Sequence, residues 1–398
     1  MITTHRLSPE LFSAFSAGHG DTAGISFLRR ARHSTLLLTL THVLRLHARS
    51  GAAVDLLCHM DHQAPAETAE VLLYPWVGAW LTGLVDRRWS ADDDDYLTGI
   101  GLAAALRAGE PLPRRIRTTG RLGLPSVGAS AGPVDGPAED VVSGYGWLSL
   151  RPAAPGIALD DLDSGRSCFG LPVTGRLDDR AVGRWRDRMT RALELIAEHA
   201  PVRHRELAAG LRAITPLAAG AHGRSATHRY AFGGLATALP GTAEELAATL
   251  IHEFQHSKLN AMMDVVRLYE PCTPERYFAP WRADPRPIGG LLHGAYAFAA
   301  VGEFWDAIRT VPAMERQATI HAARFRGEVV RALRELRGAP ALTTTGRGFV
   351  AGLAAGITDR GRPIPADVAR RAARRLARTE QTWLQRNNRL DGTLHTAS

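Results

Sequence analysis

A chain of 398 residues, 45% hydrophobic and 22% charged, can bury a sizeable core, which excludes an intrinsically disordered chain and allows two or three domains or one large one. The net charge of +8 is almost wholly arginine, since Lys258 is the only lysine. No aromatic-interleaved basic motif accompanies that charge, so nucleic acid is not an expected partner. There is no run of about 18 apolar residues and no apolar segment in Met1 to Glu10, and Cys58, Cys168 and Cys272 are far apart and odd in number. The expectations are a cytoplasmic protein, no membrane partner and no disulfide framework.

In chain order, residues 8 to 50 read as helices, with Ser8-Pro9-Glu10 as a start signal and Ser34 to Ala48 strongly apolar. Cys58, His59 and His62 form C-H-x-x-H, a spacing that fits no common zinc module, and a loop is the expected setting. Ala64 to Val85 reads as helical, with a break or kink at Pro75. The acidic run Asp92 to Asp95 suits the first turn of a helix, where the dipole favours negative charge. Gly99 to Ala104 imitates G-x-G-x-x-A, but an acidic run precedes it instead of an apolar strand, so a dinucleotide site is not expected.

From Arg114 to Thr174 glycine, proline and serine become frequent and helical period is lost. Leu122 to Gly136 reads as a flexible loop, and Gly146 to Leu150 and Cys168 to Val173 read as strands. Asp178 then caps a helix whose Val182, Trp185, Met189, Leu193 and Ile196 recur at helical spacing, as core positions do. Residues 212 to 240 return to strand and turn texture. Tyr230 to Leu239 reads as a strand that is either an ordinary edge or a surface on which an extended peptide pairs, with Gly233 and Gly234 letting its backbone approach.

Thr242 and Glu245 form a T-x-x-E capping box after Pro240-Gly241. Leu246, Leu250 and Phe254 follow on one helical face. On that helix stands His252-Glu253-Phe254-Gln255-His256, which is H-E-x-x-H. Its histidines are one turn apart and can reach one metal ion. Glu253 is placed to act on a metal-bound water or to support a ligand. Two histidines do not complete a site. Met262 stands where one family of zinc peptidases would need a histidine, while Glu270 and Glu303 are available as carboxylates. His293, on a small-residue apolar helix that follows a proline-punctuated arginine loop, is the stronger third candidate. Pro365 to Asn387 reads as a helix with Val368, Ala372, Leu376 and Trp383 on one face and a solvated arginine face.

The expected fold class is α+β, mainly helical with a central small sheet and a metallopeptidase-like H-E-x-x-H helix in the catalytic part. The expected organisation is an N-terminal helical region (1–110), a strand-rich region with a following helix (111–200) and a catalytic region (201–398), which can pack as one domain.

Residues 225–235 (SATHRYAFGGL), 250–259 (LIHEFQHSKL) and 279–298 (APWRADPRPIGGLLHGAYAF) together resemble the H-E-x-x-H family of peptide-modification proteins. Residues 73–80 (LYPWVGAW) are similar to the N-terminal part of that family, so the likeness spans most of the chain and is most specific in its central third. Such proteins occur beside, or fused to, radical SAM maturases in actinobacterial ribosomal-peptide pathways. They are 2-oxoglutarate-dependent iron(II) hydroxylases acting at the β-carbon of residues in a precursor peptide. The resemblance implies Fe(II), 2-oxoglutarate and O2 as cofactor and co-substrates. It also implies a precursor peptide as substrate, a radical SAM maturase as a pathway partner, and His252, His256 and His293 as metal ligands.

Three histidines depart from the commonest iron set of two histidines and a carboxylate. The distal carboxylate of 2-oxoglutarate needs a cation, for which Arg282 and Arg286 are the candidates. Tyr296, one turn from His293, either hydrogen-bonds in the pocket or belongs to the core. The competing reading is a zinc metallopeptidase with Glu253 as general base and Glu270 or Glu303 in place of His293.

Overall fold

The computed structural model describes residues 4–113, 115–144, 146–218, 224–271 and 273–394, so Cys272 lies outside the described residues. The chain is mainly helical and, among the described residues, carries one three-stranded and one five-stranded sheet, a mixed α+β fold.

Six helices come first: α1 (Pro9–Ser16), α2 (Asp21–Leu46), α3 (Ala52–Gln63), α4 (Pro65–Leu72), α5 (Pro75–Gly83) and α6 (Ala91–Ala108). Ser8 caps α1 by accepting from the Leu11 N–H. The expected break at Pro75 falls where the ring is tolerated, in the first turn of α5. Cys58, His59 and His62 lie exposed on α3, so their setting is a helix and not the expected loop. Ser90 and Asp93 form a reciprocal capping box at the start of α6, and Gly109 ends it in the left-handed region. The glycine pair in α6 serves packing. A Cβ on Gly99 would come within 1.9 Å of the Gly123 carbonyl oxygen, so only glycine lets this helix lie so close to the following strand.

That strand, β1 (Ile116–Leu124), pairs antiparallel with β2 (Gly128–Gly136). After α7 (Ala138–Ser143), β3 (Trp147–Ser149) pairs with β2 on its other side. The loop expected over Leu122 to Gly136 is therefore a hairpin. Ile116, Thr118, Leu122 and Leu124 alternate inward along β1 among exposed arginine and threonine. β2 carries Gly, Pro and Asp, which obscure its period; its register comes from the partner strand.

The second sheet contains β4 (Arg151–Ala154), β5 (Ile157–Leu159), β6 (Ala213–Pro216), β7 (Ser225–Ala226) and β8 (Gly234–Thr237), in the order β4-β5-β6-β8-β7. Pairs β5-β6 and β6-β8 are parallel. β8 is not the expected edge strand. It lies between β6 and β7, and β7 pairs with it at Ala236 and Thr237, the side an incoming peptide would need. Cys168 to Val173, expected as a strand, is irregular after a 3-10 turn at Ser164–Ser167, with one bridge from Val173 to Leu217.

The remaining helices are α8 (Asp179–His199), α9 (Pro201–Gly210), α10 (Ala243–Met263), α11 (Ile288–Ala307), α12 (Glu315–Gly338), α13 (Thr344–Arg360) and α14 (Ala366–Leu394). Asp178 accepts from the Ala181 N–H at the start of α8, as expected. No helix among the described residues is long and apolar enough to cross a membrane.

The chain divides into two compact units, each made of separated stretches. The first comprises Met1–His5, Ser26–Arg191 and Ala208–Leu246; the second comprises Arg6–Ile25, Ala192–Leu207 and Ala247–Ser398. Both sheets belong to the first unit, whose core gathers Trp76, Leu81, Tyr96, Ile100 and Leu122. The second unit is helical. There α11 packs on α12, α12 packs on α13 and α14, and α1 packs on α13.

Candidate metal centre

Helix α10 begins as its sequence demands. The Thr242 N–H donates to Glu245 Oε2 at 3.3 Å, and the Glu245 N–H donates to Thr242 Oγ1 at 3.2 Å. Leu250, Ile251, Phe254 and Leu259 are buried along it and hold it against the interior of the second unit. Helical spacing then does for His252 and His256 what the motif requires. Their Nε2 atoms are 3.1 Å apart, with ring centroids at 4.7 Å and planes at 88°. Two nitrogens that share one ion at ~2.1 Å stand about this far from each other. Burial, with His256 adding to it, holds the pKa of His252 well below its ordinary value. Burial lowers that of His256 as well, against an opposing pull from Glu253. Both rings are thus neutral near pH 7, the form that offers a lone pair to a metal.

His293, near the start of α11, joins the same cluster. Its Nδ1 is 3.4 Å from Nδ1 of His256, and the ring centroids are 5.5 Å apart. His256 therefore meets His252 with one ring nitrogen and His293 with the other. These nitrogens point to different sides of the imidazole, so the three rings adjoin without converging on one point. Among the described residues, no group of three or more His, Cys, Asp or Glu side chains is set to hold a metal ion. The donor pair fits an ion; His293 is beside the pair but faces its far side.

Aromatic rings stack on one flank of the pair, behind His252. Phe298 lies 4.5 Å from His252 between ring centroids, Trp281 lies 4.9 Å from Phe298, and Phe325 stacks on Phe298 at 5.3 Å and 13°. Trp281 reaches this position because Gly294 follows His293; a Cβ there would come within 2.3 Å of the indole. Phe298 and Phe325 also line a cavity of about 290 Å³ whose polar wall includes Arg203, His19 and Glu303.

Residues of α10 around the second histidine are pinned by buried charge. The Gly18 carbonyl oxygen accepts from Lys258 Nζ at 2.8 Å, from Gln255 Nε2 at 3.1 Å and from Arg203 Nη1. Lys258 also pairs with Glu206 at 2.8 Å, Arg203 pairs with Glu206 at 3.2 Å and with Glu303 at 2.6 Å, and His19 pairs with Glu303 at 3.0 Å. Lys258 is 0% exposed. Burial pushes its pKa down to about 8 in spite of Glu206. Burial alone would raise Glu206, but Lys258 and Arg203 outweigh it and hold this carboxylate below its usual value. No motif in the sequence announces this network. Its one sequence signal was the chain's single lysine, two residues after the second histidine of the motif.

The other expected residues are placed differently. Arg282 and Arg286 both pair with Asp284, at 2.8 and 3.2 Å, on the loop before α11. Tyr296 is a core residue: it is buried, its hydroxyl donates to the Phe15 carbonyl at 2.9 Å, and its ring meets Phe349. Glu253 is buried within α10. Glu270 is at the surface beside Arg267, 3.4 Å away. Glu303 is ten residues beyond His293 on α11, about 15 Å along the axis. With Arg203 and His19 holding it, Glu303 is not a stand-in for His293.

No protein-family model matches the chain, and no curated protein matches it at a significant level.

Proposed function

We propose that the chain is an iron(II)- and 2-oxoglutarate-dependent hydroxylase that acts at the β-carbon of a residue in a ribosomally made precursor peptide. The observation that carries a metal-dependent reaction is the 3.1 Å approach of the Nε2 atoms of two half-buried imidazoles on one helix, both with lowered pKa. The reaction class rests on the resemblance of the three central stretches and on the apolar flank that Phe298, backed by Trp281 and Phe325, gives to His252. In this reading His252 and His256 hold the ion, and His293 joins them by turning its ring. The metallopeptidase-like character of α10 and a cytoplasmic setting, with a radical SAM maturase as pathway partner, belong to the same proposal.

The ion, with 2-oxoglutarate and O2, supplies the oxidising chemistry when bound. The chain's own residues prepare for it. The neutral imidazoles present lone pairs without a proton to expel. Glu253 favours positive charge on His256, which raises the basicity of that ligand. Phe298 and its aromatic neighbours keep water from His252, and the adjoining cavity accepts a side chain of the peptide. Arg282 and Arg286 are the proposed cations for the distal carboxylate of 2-oxoglutarate, each exchanging Asp284 for it.

Metal analysis and co-substrate turnover on anaerobically purified protein test this reading. The expected result is one iron per chain and 2-oxoglutarate converted to succinate under O2. A precursor peptide of the same pathway should gain one oxygen, and His252→Ala or His256→Ala should lose the metal. Cleavage of peptides with zinc alone and indifference to 2-oxoglutarate would replace it with the metallopeptidase in which Glu253 is the general base.

A further inference from the structure

We infer that the first unit carries a separate binding site for a small, multiply charged oxyanion, independent of the metal centre. Arg29, Arg107, Arg151 and Arg212 line one open cavity of about 530 Å³, on whose wall Glu70 is the single carboxylate. Glu70 pairs with Arg29 at 2.6 Å, and Asp161, outside the cavity, pairs with Arg151 at 2.6 Å. No carboxylate among the described residues forms an ion pair with Arg107 or Arg212, and four guanidinium groups against Glu70 and Asp161 leave two positive charges in excess. Arg212 is held by backbone alone, donating to the carbonyls of Ala208, Ala209 and Leu211 at the end of α9. Burial lowers its pKa and Arg29 nearby lowers it further, against an opposing pull from Glu70.

Two residues of the same wall carry a polar atom with no partner, which a turn of the side chain would offer to an anion in the cavity. Arg151 Nε and Ser126 Oγ are both buried and have no hydrogen-bond partner. Buried donors left unpaired are costly and uncommon, and a bound acceptor is one of the few explanations. Ser126 is also in the left-handed region, at φ 68°, in the turn between β1 and β2. Glycine would sit there without strain. A serine in that conformation with its hydroxyl unpartnered points to a use for the hydroxyl.

The ligand class follows from the donors. Planar guanidinium groups match the paired oxygens of a phosphoryl or carboxylate group, and two excess positive charges call for at least two negative ones. The cavity is open and wider than one phosphate needs. The shared chemistry is thus a clustered oxyanion, borne either by phosphoryl groups or by adjacent carboxylates.

Calorimetric titration of the full chain with pyrophosphate, and separately with citrate, at 0.15 M salt distinguishes the two sources. At least one should bind saturably at one per chain. Arg107→Gln, at an exposed position, should keep the fold and weaken that binding about tenfold, the worth of one charge-assisted contact. Ser126→Gly should raise the thermal midpoint by relieving the left-handed serine, yet weaken binding several-fold; a purely structural serine would change stability alone. No saturable binding of either anion, or binding unchanged in both variants, overturns the inference.

Discussion

Around Gly18, in the second unit, buried charges of opposite sign meet directly: Lys258 and Arg203 against Glu206 and Glu303. Around Asp160, in the first unit, a fully buried carboxylate is satisfied by neutral donors. These are the Tyr74 hydroxyl at 2.6 Å, the Trp76 indole at 2.7 Å and the N–H groups of Leu162 and Asp163 at 3.0 and 2.9 Å. Its neighbour Asp163 makes no direct ion pair among the described residues, and the pull of Arg166 on it is outweighed. Burial and then Asp160 push its pKa up to about 8, so it keeps a proton at neutral pH and meets the Tyr96 hydroxyl at 3.0 Å. Only Asp161, facing outward from the pair, takes guanidinium partners, Arg151 and Arg176. Ion pairing fixes position: with Lys258 held by Glu206, Lys258 and Gln255 both donate to the Gly18 carbonyl and tie the helix that carries His252 and His256 to that turn. Neutral donors tie α5 and α6 to the Asp160 loop without burying a cation, but they leave an acid sensitive to pH.

The largest test of this contrast removes the buried cation. Lys258→Met should cost about 3–5 kcal/mol, because Glu206 is left buried with one partner fewer. Urea unfolding measures it, and a loss below about 1 kcal/mol would mean that the ion pair does not anchor α10.

The second test concerns Asp163. With its pKa raised in the fold, the folded chain holds a proton that the unfolded chain releases. Its contribution is fully present below about pH 4 and is lost as pH rises toward the folded value of about 8. The slope is at most about 1.4 kcal/mol per pH unit. Asp163→Asn should flatten the stability profile across that window; an unchanged profile would show that Asp163 ionises freely. Gly294→Ala comes next, at about 1–3 kcal/mol, since the new methyl meets Trp281. Loss of the Trp281 packing in its fluorescence would accompany it. Tyr296→Phe, which removes one hydrogen bond to Phe15, is the smallest, at about 0.5–1.5 kcal/mol, with metal content unchanged.

Much of the candidate centre was readable in the chain because the deciding contacts are local. The Thr242–Glu245 box and the i, i+4 histidines of α10, Pro75 at the start of α5, and Asp178 before α8 all act within one helical turn. The helix expected over Pro365 to Asn387 appears as α14 for the same reason. The β1–β2 hairpin was misread because glycine and proline blur a period of two, and strand pairing is decided by a partner elsewhere in the chain. The interior place of β8 depends on β7, a two-residue strand with no pattern of its own.

The amino-acid sequence by itself determined that two imidazoles share one helical face, that their helix starts at Thr242, and that the chain is mainly helical. Tertiary structure alone decided that His293 comes to the side of His256, Nδ1 to Nδ1. It alone sent the Tyr296 hydroxyl into the core, and it alone gathered residues 18, 203, 206, 258 and 303 into one charged knot. Helical periodicity is set by bonds a few residues long, whereas the direction of a side chain across a helix interface is set by what packs against it. Nothing within a single helical turn encodes that.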